Sequence, residues 1–198
     1  MKLEKLTAAC TLACATLFGA AAPAQAQISG DVIRIGIITD MSSLYADIDG
    51  PGGVEAIKMA IADAGGAVAG KKVEVLFADH QNKADIAAAK AREWFDTQGL
   101  DMLIGGTNSG TALAMAKVAA EKKKPYLVVG AASSALTNDQ CSPYTVHWVY
   151  DTVALAKGTG NAVVKAGGKI VKPIFDFPGG RRFQFTDPGG NELAVWAE

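Results

Sequence analysis

The sequence predicts an α/β protein: a Rossmann-like parallel sheet with helices on both faces, followed by a C-terminal β-hairpin. Two observations lead there. Short β-branched runs alternate with apolar residues at helical spacing as far as Ala166, and such alternation implies parallel strands joined by right-handed helical crossovers. Beyond Gly167-Gly168-Lys169 the pattern changes to two short strands around a Pro-Gly-Gly turn, the signature of an antiparallel hairpin.

The chain opens with an export signal. Lys2 and Lys5 give a positive start, Leu6 to Ala22 is apolar, and Ala24-Gln25-Ala26 is a small-x-small cleavage site. Cleavage is expected after Ala26, leaving a mature chain from Gln27 in the periplasm of a Gram-negative cell. Thr11-Leu12-Ala13-Cys14 is a poor lipid-attachment match, and cutting there would leave too short an apolar stretch. No later segment has the length to span a bilayer, so no membrane span is expected in the mature chain.

Val32 to Ile38 reads as a buried parallel strand. A glycine-rich turn is expected at Gly50-Pro51-Gly52-Gly53, then a helix carrying Val54, Ile57, Ala60 and Ile61. Val73 to Phe77 is the next strand. Ala84, Ala87, Ala88, Ala91, Trp94 and Phe95 form one apolar helical stripe, with Gly99 as the stop. Met102 to Ile104 is a strand, Thr111 to Ala120 an Ala-rich helix, and Pro125 to Val129 a strand. Thr145 to Tyr150 alternates in strand fashion, and Thr152 to Ala166 reads as a helix. The expected organisation is a signal at 1–26, a first lobe at 27–150, the first helix of a second lobe at 151–169, and a hairpin segment at 170–198.

The 198 residues carry a formal net charge of -1, which gives no reason to expect nucleic acid or an anionic membrane as partner. Lys122-Lys123-Lys124 is the densest basic spot and suits a helix C-terminus. Of the three cysteines, Cys10 and Cys14 leave with the signal. Cys141 then stands alone, so no internal disulfide forms. Nothing marks its thiol as activated, although His147 is the nearest candidate base.

In open parallel sheets ligands bind beyond the carboxyl ends of the strands. Those ends are 39–45, 78–82, 105–111 and 130–134, rich in Ser, Thr, Asn and Gly. Small hydroxyl and amide groups suit a small polar ligand, and a helix N-terminus suits its carboxylate. Gly105 and Gly110 have phosphate-loop spacing, but the Gly-Lys-Ser/Thr ending is missing. The glycine positions around Ser109 hold Thr107 and Thr111, so there is no Gly-x-Ser-x-Gly elbow. Asp79-His80 lacks further ligands at metal-binding spacing. No cofactor, metal or catalytic residue is expected, and the two histidines read as ordinary loop and strand residues.

Three stretches carry a family resemblance: Ile35 to Tyr45, Leu103 to Thr111, and Val129 to Ser134. With them, Ile33 through Gly168 resembles the type I periplasmic binding proteins of branched-chain amino-acid (Leu/Ile/Val-type) ABC importers. The resemblance implies a non-enzymatic solute-binding component that hands a small-molecule carboxylate or amino acid to an ABC transporter permease. It implies that Ser109 binds the carboxylate, Ala131 offers its carbonyl, Ser133 its hydroxyl and amide, and that Tyr45 walls the pocket. Ser109 could equally serve as a helix N-cap, and Tyr45 as a surface aromatic. Amino-acid-binding members often carry a disulfide near this site. The corresponding positions here are Gln81 and Asn108, which opens the site to another small organic acid, such as an aromatic one. The family closes two lobes on its ligand; hinge closure of such proteins is a standard example of domain motion. The second lobe is expected to be missing beyond its first helix, with weak or absent binding and an exposed sheet edge or apolar patch prone to association.

The tail resembles a different family. Phe185-Thr186-Asp187-Pro188-Gly189-Gly190-Asn191, with its flanking strands, is similar to the end of glyoxalase/bleomycin-resistance (vicinal-oxygen-chelate) domains. Metal-using members place a glutamate where this chain has Ala194; Glu192, two residues after Gly190 at an even offset that could share the face, does not match that ligand position. The alternatives to a binding protein are therefore a fragment of such an enzyme, or a non-functional fusion product joined near Lys169.

Overall fold

The computed structural model describes residue 28 and residues 30–177 and 180–197. The export signal and its cleavage site lie outside the described residues. In chain order the elements are β1 (Val32–Thr39), α1 (Ala46–Asp49), α2 (Pro51–Asp63), β2 (Ala67–Val68), β3 (Lys71–Asp79), α3 (Ala84–Thr97), β4 (Met102–Gly105), α4 (Ser109–Lys122), β5 (Tyr126–Val128), β6 (Thr145–His147), α5 (Thr152–Lys165), β7 (Lys169–Phe177), β8 (Gly180–Thr186) and β9 (Glu192–Ala197). A 3-10 turn at Ser134–Thr137 precedes β6.

The first sheet has the order β2-β3-β1-β4-β5-β6. Every pairing is parallel except that of the short β2 with β3. The predicted α/β class and its parallel, helix-flanked sheet are therefore present. β1 is central because its β-branched residues are buried from both sides; Ile37 and Ile38 are 2% and 0% exposed. On one face, α3 brings Ala87, Ala91 and Trp94, and α4 brings Ala112, Met115, Val118 and Ala119. These pack with Ile38, Leu103, Tyr126 and Val128 in one cluster. Alanines let the two helices approach closely, and Gly36 serves the same end in the sheet. A Cβ there would lie 2.8 Å from Leu100 and 2.9 Å from Trp94, inside van der Waals contact. α2 lies along the sheet with Val54 its buried residue.

Helix ends follow local chemistry. The residues expected to form a glycine-rich turn begin α2 instead, with Pro51 in its first turn. Proline suits that position because its missing N–H would have no helical partner. Gly99, at φ +61°, ends α3 as expected. Lys123 is left-handed and caps α4, while Lys122 pairs with Asp96 and Lys124 with Asp101.

The expected hairpin is present as β8 and β9, and the tail adds a strand to it. Lys169–Phe177 forms a third strand, so that β7-β8-β9 make an antiparallel sheet of their own. Pro173 argues against a strand there, since it cannot donate to a ladder. The pairing accommodates it with register shifts between Ile170 and Lys172 and between Lys172 and Phe175. α5, expected to start a second lobe, lies against this sheet. Gly160 leaves room for Phe183, whose Cζ would be 3.4 Å from an added Cβ. The Asp187–Asn191 turn is closed by the Asn191 N–H and side-chain amide, both donating to the Asp187 carboxylate at 2.9 Å.

Candidate functional site

The loops at the carboxyl ends of β1, β3, β4 and β5 meet along one edge of the parallel sheet. Their geometry begins with register. Thr39 pairs with Asp79 at the ends of β1 and β3, which brings the next residue, Asp40, beside the Asp79 carboxylate.

Asp40 is 1% exposed and organises the loop that follows it. Its carboxylate accepts the N–H groups of Ser42 at 3.3 Å, Ser43 at 2.9 Å and Tyr45 at 2.9 Å, and the Ser43 hydroxyl at 2.5 Å. Asp79 reaches the same loop from the neighbouring strand. It accepts the Met41 N–H at 3.0 Å and the Ser42 hydroxyl at 2.5 Å. It also accepts the Gln81 N–H of its own loop at 2.7 Å. Burial alone would raise both carboxyl pKa values. The hydroxyl and backbone donors outweigh it and hold both below the ordinary value of 3.8.

Gln81 and Asn82 are left-handed, at φ +51° and +55°. Each such residue costs about 1 kcal/mol or more, and local acceptors hold them there. The Asp79 carboxylate takes one N–H, and His80 Nδ1 takes that of Asn82 at 3.0 Å. That acceptor role leaves the proton of the neutral ring on Nε2. His80 is 1% exposed. Burial lowers its pKa against the opposing pull of Asp40, Asp49 and Asp79, so the ring stays neutral at pH 7. One strand across, the Thr39 hydroxyl donates to Asp49 at 2.8 Å and ties α1 to β1.

The β4 and β5 loops are closely joined. The Ala131 N–H donates to the Gly106 carbonyl at 2.6 Å and the Val129 N–H to Gly105 at 3.2 Å. Gly106 sits at φ +90° directly against the Tyr126 hydroxyl, and a Cβ there would overlap the phenol oxygen. That hydroxyl donates to the Gly105 carbonyl at 3.3 Å.

All four residues singled out from the sequence fall on this edge. Tyr45 is half-buried and leads into α1. Ser109 is the first residue of α4, not its cap. The cap is Asn108, whose side chain accepts the Thr111 N–H at 3.1 Å, because its extended backbone lets the amide oxygen turn back to the helix. Ala131 is buried, and its carbonyl lies 2.6 Å from His147 Nε2. Ser133 is half-buried, and its hydroxyl accepts the Ala135 N–H at 3.4 Å. Sequence reasoning passed over Asp40 and weighed Asp79 only as half of an Asp79-His80 metal candidate. The available signal was an aspartate at two strand ends, each followed by polar residues that could donate back to it.

Beside Tyr45, Leu44 of the loop and Ile48 of α1 are 76% and 70% exposed. Among the described residues no group of three or more His, Cys, Asp and Glu side chains is arranged to hold a metal ion. Nor is any described helix long and apolar enough to cross a membrane. Cys141 is exposed and unbridged.

A parallel sheet whose polar loops gather at one carboxyl edge, around a helix N-terminus, defines a class of small-ligand binding lobes. The family model described as periplasmic binding protein matches residues 32–175, and the chain belongs to that family. A periplasmic binding protein from Burkholderia mallei is 71% identical, over 70% of this chain and 37% of that one, with a TM-score of 0.68. A branched-chain amino-acid ABC transporter ligand-binding protein from Burkholderia xenovorans is 38% identical, over 68% and 36%, with a TM-score of 0.65. A solute-binding protein of an ABC transporter from R. palustris, solved with benzoate, is 25% identical, over 70% and 38%, also at 0.65. The chain thus spans little more than a third of the length of these structures. Among curated proteins there is no match.

Proposed function

We propose that this chain supplies the ligand-binding first lobe of an extracytoplasmic solute-binding component of an ABC importer, and that it performs no catalysis. The solute is a small carboxylate, either a branched-chain amino acid or an aromatic acid. The observation that carries this reading is the gathering of Tyr45, Ser109, Ala131 and Ser133 at one carboxyl edge, with Ser109 at the start of α4. A helix N-terminus there favours a carboxylate. Exposed Leu44 and Ile48 beside Tyr45 favour a ligand with an apolar body. The relatives solved or described with benzoate and with branched-chain amino acids support the same two classes.

Calorimetry of the secreted protein with leucine, valine and benzoate tests the reading: at least one of them should bind saturably, because the edge offers a helix N-terminus for a carboxylate and an apolar wall for the rest of the ligand. Absence of binding to all three would overturn it. Export with cleavage after Ala26 is checked by N-terminal sequencing of the periplasmic protein, which should begin at Gln27. The segment beyond the join near Lys169 is proposed to have a separate origin. Long-read sequencing of the locus and its transcript should show this join in one intact gene; two genes there would make the chain an assembly product.

A further inference from the structure

We propose that Asp40 and Asp79 are positioning residues: from adjacent strand ends they clamp the Met41–Tyr45 loop in one shape and so set where the Tyr45 ring meets a ligand. The inference rests on the binding reading above and assigns two residues to it that touch no ligand themselves.

The hydrogen bonds divide the work. Asp40 shapes the loop from within, through three backbone N–H groups and one hydroxyl of the five residues after it. A carboxylate filling that many donors fixes successive backbone dihedrals, and the bonds, being charge-assisted, are stronger than neutral ones. Asp79 fixes the loop from without. The same Oδ1 takes Met41 N–H and Gln81 N–H, so one atom links the β1 loop to the β3 loop. The other oxygen takes the Ser42 hydroxyl. The ring that follows at Tyr45 is thereby carried on a segment held at both ends, since Asp49, at the far end of α1, is tied back to Thr39. A pre-ordered wall spares a ligand the cost of ordering it.

The test uses protein secreted from a host carrying the full gene, as wild type, Asp79→Ala, Asp79→Asn and Asp40→Ala. Two quantities are read by NMR: amide hydrogen exchange, and the shift of the Tyr45 ring signals on titration with isoleucine and with benzoate. Asp79→Ala should speed exchange at Met41 and Gln81 about tenfold or more, leave Ile38 and Leu103 unchanged, and weaken the titration at least threefold. Asp79→Asn, which keeps an acceptor oxygen, should recover part of both. Unchanged exchange at Met41 and Gln81 overturns the clamp. Faster exchange with unaltered titration overturns the positioning role. If the wild type shows no Tyr45 shift with either probe, the binding reading fails by itself, and the exchange arm still decides the clamp. Should Asp40→Ala not fold, the two Asp79 variants decide the question between them.

Discussion

The parallel-sheet lobe and the tail unit both have regular hydrogen-bonded structure, but among the described residues only the lobe has a deep core. In the lobe, buried residues from α3, α4 and three strands form one cluster, with Leu76 and Ala78 of β3 packed against it, and Leu100, Leu103, Tyr126 and Val128 are fully buried. In the tail, Phe185 is buried at 4% exposure, while α5 buries no residue and Ile170, Val171, Ile174 and Leu193 stay largely exposed. Ladder hydrogen bonds are exchanged with water at little net gain, whereas apolar burial supplies the driving force. The lobe should therefore set the stability of the molecule, and the tail should follow it or open alone.

Trp94→Ala puts the greatest strain on that contrast. Trp94 joins α3 to the sheet beside Gly36, and its truncation should cost about 3–5 kcal/mol in urea unfolding. Phe185→Ala should leave the lobe transition in place and instead raise amide exchange across β7–β9. A loss at Phe185 as large as at Trp94 would show the two units to be one cooperative body. Acid should act on the lobe first. The pKa of His80 is depressed in the fold, so the unfolded chain binds a proton that the native one refuses. Stability is then lost as pH falls below the ordinary histidine value of 6.5. Asp40 and Asp79 are depressed too, so a second loss begins below about 3.8, the ordinary value, and continues through their lower folded pKa values. His80→Gln should remove the first phase and keep the second, as read by urea midpoints across pH. Asn108→Ala should cost about 1 kcal/mol through the lost cap of α4, while Ser109→Ala should cost less, since Ser109 is not the cap. The smallest effect belongs to the exposed Arg92–Glu121 pair, where solvent screens the charges and Glu121→Gln should leave the urea midpoint unchanged.

Most of the lobe is legible in the sequence because its signals are local. Alternating Val and Ile runs, the Ala-Trp-Phe stripe and Gly99 each act within a few residues, and the parallel topology follows from their order. The tail is half legible. Ile170-Val171 has strand character, but Pro173 masks it, and only pairing with β8 decides the matter. The candidate site is legible as a set of loops, while the source of their order is not. Asp40 and Asp79 lie 39 positions apart, and they matter together only because Thr39 and Asp79 share a register. Likewise, Asn108 and Ser109 are both good caps by composition, and the backbone angle at Asn108 decides between them.

The Tyr126 phenol is sealed between the Gly105 carbonyl and Gly106, where burial, with Asp49 adding to it, pushes its pKa far above the ordinary tyrosine range. The native lobe therefore keeps this ring un-ionised in alkaline solution that would titrate it in an open chain. Its phenolate absorbance becomes an optical gauge of the sheet itself. In a rapid pH jump, the slow part of the ultraviolet change would time the parting of β4 from β5, with no label or mutation needed.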